Sequence, residues 1–187
     1  MARRLFVALT VPQEVAEPLD GALRPLREAR DDLAWTPPAN WHVTLAFLGQ
    51  VARDPGEVVD ALRPVAAAAP SAIGLKLSPA GRFGRRVLWV GITDQPAGVV
   101  AGLGHSAQAA LAAADLPVDD KDVHPHLTLA RARTRRSAGG VDARLVAAVP
   151  ELSAMWSAHD LAVMESVRAG RGRPNRYDSL ARVVLGA

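Results

Sequence analysis

Two copies of one pattern, His42-Val43-Thr44-Leu45 and His126-Leu127-Thr128-Leu129, lie in separate halves of the chain. On a β-strand, residues two apart point to the same face, so each copy presents an imidazole and a hydroxyl on one side and apolar groups on the other. Five histidines and six threonines in 187 residues give only about 0.16 His-x-Thr triplets by chance. The pair therefore predicts a common surface that carries two histidines and two threonines.

The composition limits the class of protein. No cysteine occurs, which excludes a disulfide scaffold, a cysteine-ligated zinc site and catalysis by a thiol. A length of 187 residues with 49% hydrophobic content suits one domain, or two small lobes packed on one another. The apolar run from Leu5 to Val11 is too short for a signal peptide or a membrane span, and no other stretch is long enough. We therefore expect a soluble, cytoplasmic protein in which residues 1–187 form a single domain.

Hydrophobic periodicity orders the chain into alternating strands and helices. Helices are predicted over 13–30, 55–69, 97–114 and 140–149. Strands are predicted over 3–12, 42–49, 73–79, 86–92, 126–131, 152–167 and 177–185. Pro18 and Pro25 argue against an unbroken first helix, whereas Asp54 is a typical cap for the second.

Each half of the chain places its motif strand before a helix and ahead of two further strands. This repeated order suggests an internal duplication. It predicts an α+β fold in which two small sheets face each other across a cleft, with helices outside and the motif strands lining the cleft.

Strict alternation sorts the side chains of the motif strands into a cleft face and a core face. The residues expected on the cleft face are His42, Thr44, Ala46 and Leu48, then His126, Thr128 and Ala130. The core face is expected to hold Val43, Leu45, Phe47, Leu127 and Leu129. The small Ala46 and Ala130 would leave room for a ligand. By the same alternation Arg131 points to the core, and it can reach the cleft only if the strand ends or bulges there.

The paired histidines and threonines suit the hydrolysis of a phosphodiester. One imidazole can accept a proton while the other donates one, because the ordinary histidine pKa of about 6.5 lies near neutral pH. Threonine hydroxyls can donate hydrogen bonds to phosphate oxygens. No carboxylate-rich cluster accompanies the histidines, which favours a reaction without a metal ion. His124 could pair with His126 on a metal, but without a third ligand it is expected to orient a neighbour or contact substrate.

Four segments together resemble one known family over nearly the whole chain. They are RLFVAL at 4–9, WHVTLAFLG at 41–49, RVLWVG at 86–91 and PHLTLAR at 125–131. This set resembles the 2H phosphoesterases, and among them the bacterial and archaeal RNA 2′,3′-cyclic phosphodiesterases, also called 2′-5′ RNA ligases. The resemblance implies a bilobal α+β fold whose two antiparallel sheets are related by a pseudo-twofold axis. It also implies an enzyme that hydrolyses RNA 2′,3′-cyclic phosphate ends to 2′-phosphates without a cofactor.

The resemblance assigns roles to individual residues. It implies that His42 donates a proton to the leaving 3′ oxygen and that His126 accepts one from water, although pseudo-symmetry leaves this assignment open. Thr44 and Thr128 are expected to bind the phosphate, and Arg131 matches a family arginine that neutralises its charge. Three aromatic residues, Phe47, Phe83 and Trp41, are candidates to stack on a base, although an aromatic beside an apolar strand commonly belongs to the core.

Other functions stay open on the sequence alone. The same site could join a 2′,3′-cyclic phosphate to a 5′-hydroxyl, or act on a small cyclic-phosphate nucleotide. A third possibility is a non-catalytic module that binds RNA ends. Twenty of the 22 basic residues are arginines, and clusters at 82–86, 131–136 and 168–176 predict an RNA track or only a solvated basic surface. We expect a monomer that contacts RNA and no membrane.

Overall fold

A computed structural model of the chain describes residues 2–133, 140–170 and 175–187. Within these ranges the helices are α1 (Gln13–Ala29), α2 (Pro55–Ala68), α3 (Val99–Ala113) and α4 (Ala143–Ala147). The first strands are β1 (Arg3–Thr10), β2 (Leu33–Trp35), β3 (His42–Val51), β4 (Ile73–Phe83) and β5 (Val87–Gln95). The later strands are β6 (His126–Ala132), β7 (Met155–Ala158), β8 (Asp160–Val167) and β9 (Arg176–Val184). None of the helices in this part of the chain is long and apolar enough to cross a membrane.

The strands form two antiparallel sheets, with the orders β3-β1-β8-β9 and β2-β6-β5-β4-β7. The first motif strand, β3, lies at an edge of the four-stranded sheet, and the second, β6, lies inside the five-stranded sheet. One continuous apolar core packs the sheets and helices together. The predicted α+β fold with two antiparallel sheets is confirmed.

The sheets do not correspond to the two halves of the sequence. Strands β4 and β5 follow the first motif strand but pair beside β6, the second motif strand. Strands β8 and β9 from the end of the chain pair instead beside β1. Each motif strand therefore shares its sheet with the strand pair that follows the other motif in the sequence. The chain passes repeatedly from one sheet to the other.

The segment 152–167, which the sequence predicts as one strand, is two strands that belong to different sheets. β7 pairs with β4, whereas β8 pairs with β1, and the break falls at His159. The pattern of burial changes at the same point. It alternates along β7, but the four residues from Leu161 to Met164 are all buried, because β8 is covered on both faces.

Helix α1 runs through both of its prolines. Pro18 and Pro25 are exposed and lie seven residues apart, so both rings project from the solvent side of the helix. Val15, Leu19 and Leu23 form the opposite, fully buried side. The prolines each remove a backbone hydrogen bond, but burial of this apolar side holds the helix continuous.

The segment between α1 and the first motif strand contains a short strand and a 3₁₀ turn. β2 pairs with β6 at the edge of the five-stranded sheet, and a 3₁₀ turn, Pro38–Asn40, leads directly into β3. A three-residue strand lies below the length at which a period of two can be recognised. The 3₁₀ turn places Asn40 two residues before the first motif histidine.

The start of helix α2 confirms the cap that the sequence predicts. The Asp54 carboxylate accepts a hydrogen bond from the Gly56 amide at 2.7 Å, and Glu57 closes a capping box onto the Asp54 amide. We expect Asp54→Ala to lower the free energy of unfolding by about 1 kcal/mol, because these helix-end amides lose their acceptor. Urea unfolding measures this, and an unchanged midpoint would contradict it.

Candidate active site

Both motif strands carry a β-bulge at the same position of the motif. In β3 the extra residue is Leu45, because Val7 pairs with Ala46 whereas Ala8 pairs with Thr44. In β6 the extra residue is Leu129, because Leu88 pairs with Ala130 whereas Trp89 pairs with Thr128. A bulge shifts the alternation by one residue, so side chains that follow it change faces.

The bulges overturn part of the predicted alternation and satisfy the condition set for Arg131. Ala46 and Ala130 are buried, and Leu48 is also in the core, so the prediction that they line the cleft is wrong. Phe47 and Arg131 point into the cleft instead of into the core.

The carbonyl oxygens of both bulged leucines accept hydrogen bonds from outside the strand pairs that contain the bulges. The side-chain amide of Gln108 donates to the Leu45 oxygen at 3.3 Å, and the Thr36 amide donates to the Leu129 oxygen at 2.8 Å. The Gln108 amide also donates to the Lys121 oxygen. These bonds stabilise the bulges, because an unpaired buried carbonyl is costly.

A cavity of about 680 Å³ opens between the two sheets and holds the residues that the sequence selects. Seven of the predicted contacts line it, namely His42, Thr44, Phe47, Phe83, His126, Thr128 and Arg131. The remaining lining residues are Arg4, Phe6, Thr36, Asn40, Lys121, Ser166, Asn175 and Tyr177. Neither threonine hydroxyl has a hydrogen bond within the described ranges, so both are available to a ligand.

The two histidines are oriented in the same way. The Nδ1 atom of His42 lies 2.7 Å from the Asn40 carbonyl oxygen, and Nδ1 of His126 lies 2.5 Å from that of His124. A carbonyl only accepts hydrogen bonds, so Nδ1 carries the hydrogen in both rings. Nε2 is therefore the nitrogen of each ring that gains or releases a proton.

Aromatic rings hold each imidazole in place. The centre of the His42 ring lies 4.7 Å from the centre of the Phe6 ring and 5.2 Å from that of Tyr177, whose ring is nearly perpendicular to it. The His126 ring is 5.0 Å from Phe83, at 90°, and 6.1 Å from Trp89. Both histidines thus have rigid apolar neighbours from their own sheet.

His124 belongs to the cluster around His126. Its ring packs edge-on against Phe83 and Trp89, at 5.5 and 5.0 Å, and lies 5.8 Å from the His126 ring. The described residues include no group of three or more histidine or carboxylate side chains placed to hold a metal ion. His124 thus packs within the aromatic cluster beside His126, and its role in orienting a neighbour or contacting substrate stays a prediction.

Burial lowers the pKa of both cleft histidines. It lowers the pKa of His42 to about 4, and the nearby His126 and Arg131 add to the effect, while the bond to Asn40 opposes it. Burial also lowers the pKa of His126, with smaller contributions from His124 and Arg131. Both rings are therefore neutral at pH 7 in the free protein.

The sequence reasoning missed several residues that line the cleft. Arg4 lies on β1, and its guanidinium carbon is 5.1 Å from the centre of the Phe47 ring. Tyr177 is the single tyrosine of the chain and approaches from β9. Arg4 and Phe6 alternate along the first strand, which is a signal that could have been found. Nothing local in the sequence indicates Tyr177.

The remaining predicted contacts lie outside the cleft or outside the described residues. Trp41 is 4% exposed and packs in the main core, so the prediction that it stacks on a base is wrong. Of the arginine clusters, Arg82, Arg85 and Arg86 are exposed. The other two clusters, at 131–136 and 168–176, lie partly outside the described residues, which do not include 134–139 or 171–174.

Comparisons with known proteins identify the family. The family model of the 2′-5′ RNA ligase superfamily matches residues 11–170, so the chain belongs to this superfamily. The RNA 2′,3′-cyclic phosphodiesterase of Escherichia coli K12 is 29% identical over 197 residues, covering 98% of this chain and 97% of that protein.

Solved structures show the same fold. E. coli LigT complexed with 3′-AMP aligns with a TM-score of 0.73 and 23% identity over 100% of both chains. The protein TT0787 of Thermus thermophilus aligns with a TM-score of 0.76 and 23% identity over 98% of both chains.

The low pKa of His42 makes the stability of the fold depend on pH. The ring has a pKa of 6.5 in the unfolded chain and about 4 in the fold, so the unfolded state binds this proton more readily. The free energy of unfolding therefore falls by about 2 kcal/mol between pH 7 and pH 5 on account of this residue. Urea unfolding at both pH values should show a smaller loss in His42→Ala than in the wild type. An equal loss in both proteins would contradict the shift.

Proposed function

We propose that this protein hydrolyses RNA 2′,3′-cyclic phosphate ends to 2′-phosphates, without a metal ion, by acid–base catalysis with His42 as proton donor and His126 as proton acceptor. The observation that carries the proposal is the pair of imidazoles in one cavity, each with Nδ1 held by a backbone carbonyl. The similarity to a bacterial RNA 2′,3′-cyclic phosphodiesterase supports the substrate class.

Each group in the cleft has one task in this reaction. Nε2 of His126 accepts a proton from the water that attacks phosphorus, and a new P–O bond forms. The bond from phosphorus to the 3′ oxygen breaks, and Nε2 of protonated His42 gives its proton to that oxygen, leaving a 2′-phosphate. Thr44 and Thr128 donate hydrogen bonds to the non-bridging oxygens, and Arg131 balances their charge.

The negative charge of the substrate favours the protonated histidine that the free protein lacks at pH 7. The cyclic phosphodiester is an anion, so its binding raises the pKa of both rings. Arg131 opposes this rise in part, since it lowers the pKa of both histidines. One ring protonated and one neutral is then the reactive form, and the bound complex reaches it at a higher pH than the free protein does.

The nucleoside has room beside the phosphate. A second cavity of about 340 Å³ adjoins the first at Thr44, Phe47, Phe83 and His126. Phe83 is 41% exposed, which is unusual for a large apolar side chain. Phe47 and Phe83 are therefore the candidates to stack on the terminal base.

One assay tests the reaction and separates the alternatives. The purified protein is incubated in EDTA with a short RNA that ends in a 2′,3′-cyclic phosphate, and the product phosphate is located by NMR or by nuclease mapping. We expect a 2′-phosphate. An unchanged oligonucleotide that stays bound would indicate a binding module, and a longer product with a 5′-hydroxyl RNA present would indicate ligation. Activity lost in EDTA and restored by one divalent ion would contradict metal independence.

The same assay with adenosine 2′,3′-cyclic phosphate addresses the size of the substrate. A kcat/KM for the mononucleotide equal to that for the oligonucleotide would favour a small cyclic nucleotide as substrate. We expect the oligonucleotide to be preferred, because exposed arginines at 82, 85 and 86 lie on the β4–β5 hairpin that carries Phe83.

Loss of either histidine should reduce turnover strongly. We expect His42→Ala and His126→Ala each to lower kcat by about 10²- to 10⁴-fold, the usual loss for a positioned acid or base. The double variant should lose less than the product of the two effects, because acid and base act together. Steady-state kinetics measures this, with circular dichroism as the control for folding. Near wild-type turnover in either folded single variant would exclude the two-histidine mechanism.

A substrate with sulfur in place of the 3′ oxygen distinguishes the donor from the acceptor. A thiolate leaves without being protonated, since thiol pKa values lie near 8.5 and far below those of alcohols. We therefore expect this substrate to restore most of the activity of His42→Ala and little of that of His126→Ala. Restoration of His126→Ala instead would reverse the two roles and leave the reaction itself unchanged.

A further inference from the structure

We propose that Asn40 is a positioning residue for His42, because its side chain ties the segment that holds this imidazole to the start of β9. The proposal rests on the proposed function in one respect, which is that His42 transfers a proton. The tie itself, which is the hydrogen bond from the Asn40 side chain to Asn175, is a feature of the free protein and can be measured without substrate.

Asn40 has an unusual environment. It is 8% exposed and is the one buried polar or charged residue in the described ranges. Its side-chain amide donates a hydrogen bond to the Asn175 carbonyl oxygen at 2.6 Å, 135 positions away in the chain. The Asn175 side-chain amide in turn donates to the Ser166 hydroxyl at 3.1 Å. Three residues of the cleft wall thus form one hydrogen-bonded chain.

This bond spans the two edges of the four-stranded sheet. β3 and β9 are its opposite edges, with β1 and β8 between them. Neighbouring strands lie about 4.8 Å apart, so a flat sheet would separate these edges by about 14 Å. Asn40 and Asn175 lie in the segments that lead into β3 and β9, so their bond joins the two edges of the sheet beside the cleft. Tyr177 on β9 and the His42 ring on β3 are in contact next to this bond.

Asn40 affects His42 through both its backbone and its side chain. Its backbone oxygen accepts the hydrogen bond from Nδ1 of His42, and its side chain fixes where that oxygen lies. The second motif has no such arrangement. The corresponding residue is His124, whose side chain makes ring contacts and, within the described part of the chain, no hydrogen bond. The tie therefore acts on one of the two histidines.

The charged and titratable groups around His42 are few. His126 and Arg131 face it from β6, and Tyr177 lies against it from β9. Arg4 on β1 and Lys121 in the segment before β6 line the same cavity. None of them belongs to the Asn40 segment. A change at Asn40 thus alters the position and hydration of the ring without removing a charge from the cleft.

The test compares Asn40→Leu, which has the same branching and the same number of heavy atoms but no donor, with the wild type. We expect kcat on adenosine 2′,3′-cyclic phosphate to fall by about 10- to 100-fold, the size of loss that a small misplacement of a reacting group causes, with KM nearly unchanged. Two effects on the His42 pKa oppose each other in this variant: a weaker bond to the Asn40 carbonyl lowers it, and better hydration of the loosened ring raises it. Because burial is the larger cause of the low pKa, NMR titration of the free protein should show the His42 pKa rising above about 4. The His126 titration should move much less.

Two further variants keep the test decisive. Asn40→Ser retains a hydroxyl donor and should give intermediate values of kcat and of the His42 pKa, and it carries the comparison if Asn40→Leu does not fold. Leu62→Ala removes a fully buried side chain of α2 that does not line the cleft. It lowers stability but should leave kcat per folded molecule and the His42 titration unchanged.

The outcomes separate this proposal from the proposed function. A wild-type kcat and His42 pKa in folded Asn40→Leu would overturn it, as would changes that Leu62→Ala reproduces at a similar loss of stability. A shifted His42 pKa in Asn40→Leu, with a wild-type protein that hydrolyses no cyclic phosphate, would support the tie while contradicting the proposed function.

Discussion

The bulge that both motif strands share, at Leu45 and at Leu129, determines which side chains enter the cleft. Without the bulge at Leu129, Arg131 would follow the alternation into the core, where an unpaired charge costs several kcal/mol. With it, two consecutive residues of the strand are buried and the guanidinium reaches the cleft. The bulge at Leu45 does the same for Phe47. Both lobes thus use one backbone irregularity to place a different side chain beside a histidine and a threonine.

The apolar walls of the cleft have two effects on the histidines. The rings of Phe6 and Tyr177 restrict the motion of His42, and the burial they cause lowers its pKa to about 4. Two neutral imidazoles with nearby arginines are suited to binding an anion. The negative charge of the anion then favours protonation of one ring, because it raises the pKa of that ring. The packing of aromatic rings around His42 therefore both restricts its motion and keeps it neutral.

The sequence predicts the features that depend on local spacing. The tetrads, the Asp54 cap and the α+β order all follow from patterns within about ten residues, and the structure agrees with them. It does not predict the bulges, because a bulge is a mismatch between two strands and is invisible in either strand alone. This is why strict alternation assigns Ala46 and Ala130 to the wrong face. Tyr177 and the Asn40–Asn175 bond escape prediction because they depend on contacts more than 130 residues apart along the chain.

Pseudo-symmetry alone would give two equivalent histidines, whereas hydrolysis of a cyclic phosphodiester requires one donor and one acceptor. The two motifs share their tetrad, their bulge and the carbonyl that orients Nδ1. They differ in what holds that carbonyl, which is a hydrogen-bonded asparagine beside His42 and an aromatic cluster with a third histidine beside His126. The surroundings of the two histidines therefore first differ two residues before each motif, and this is where a difference between the two proposed roles can arise.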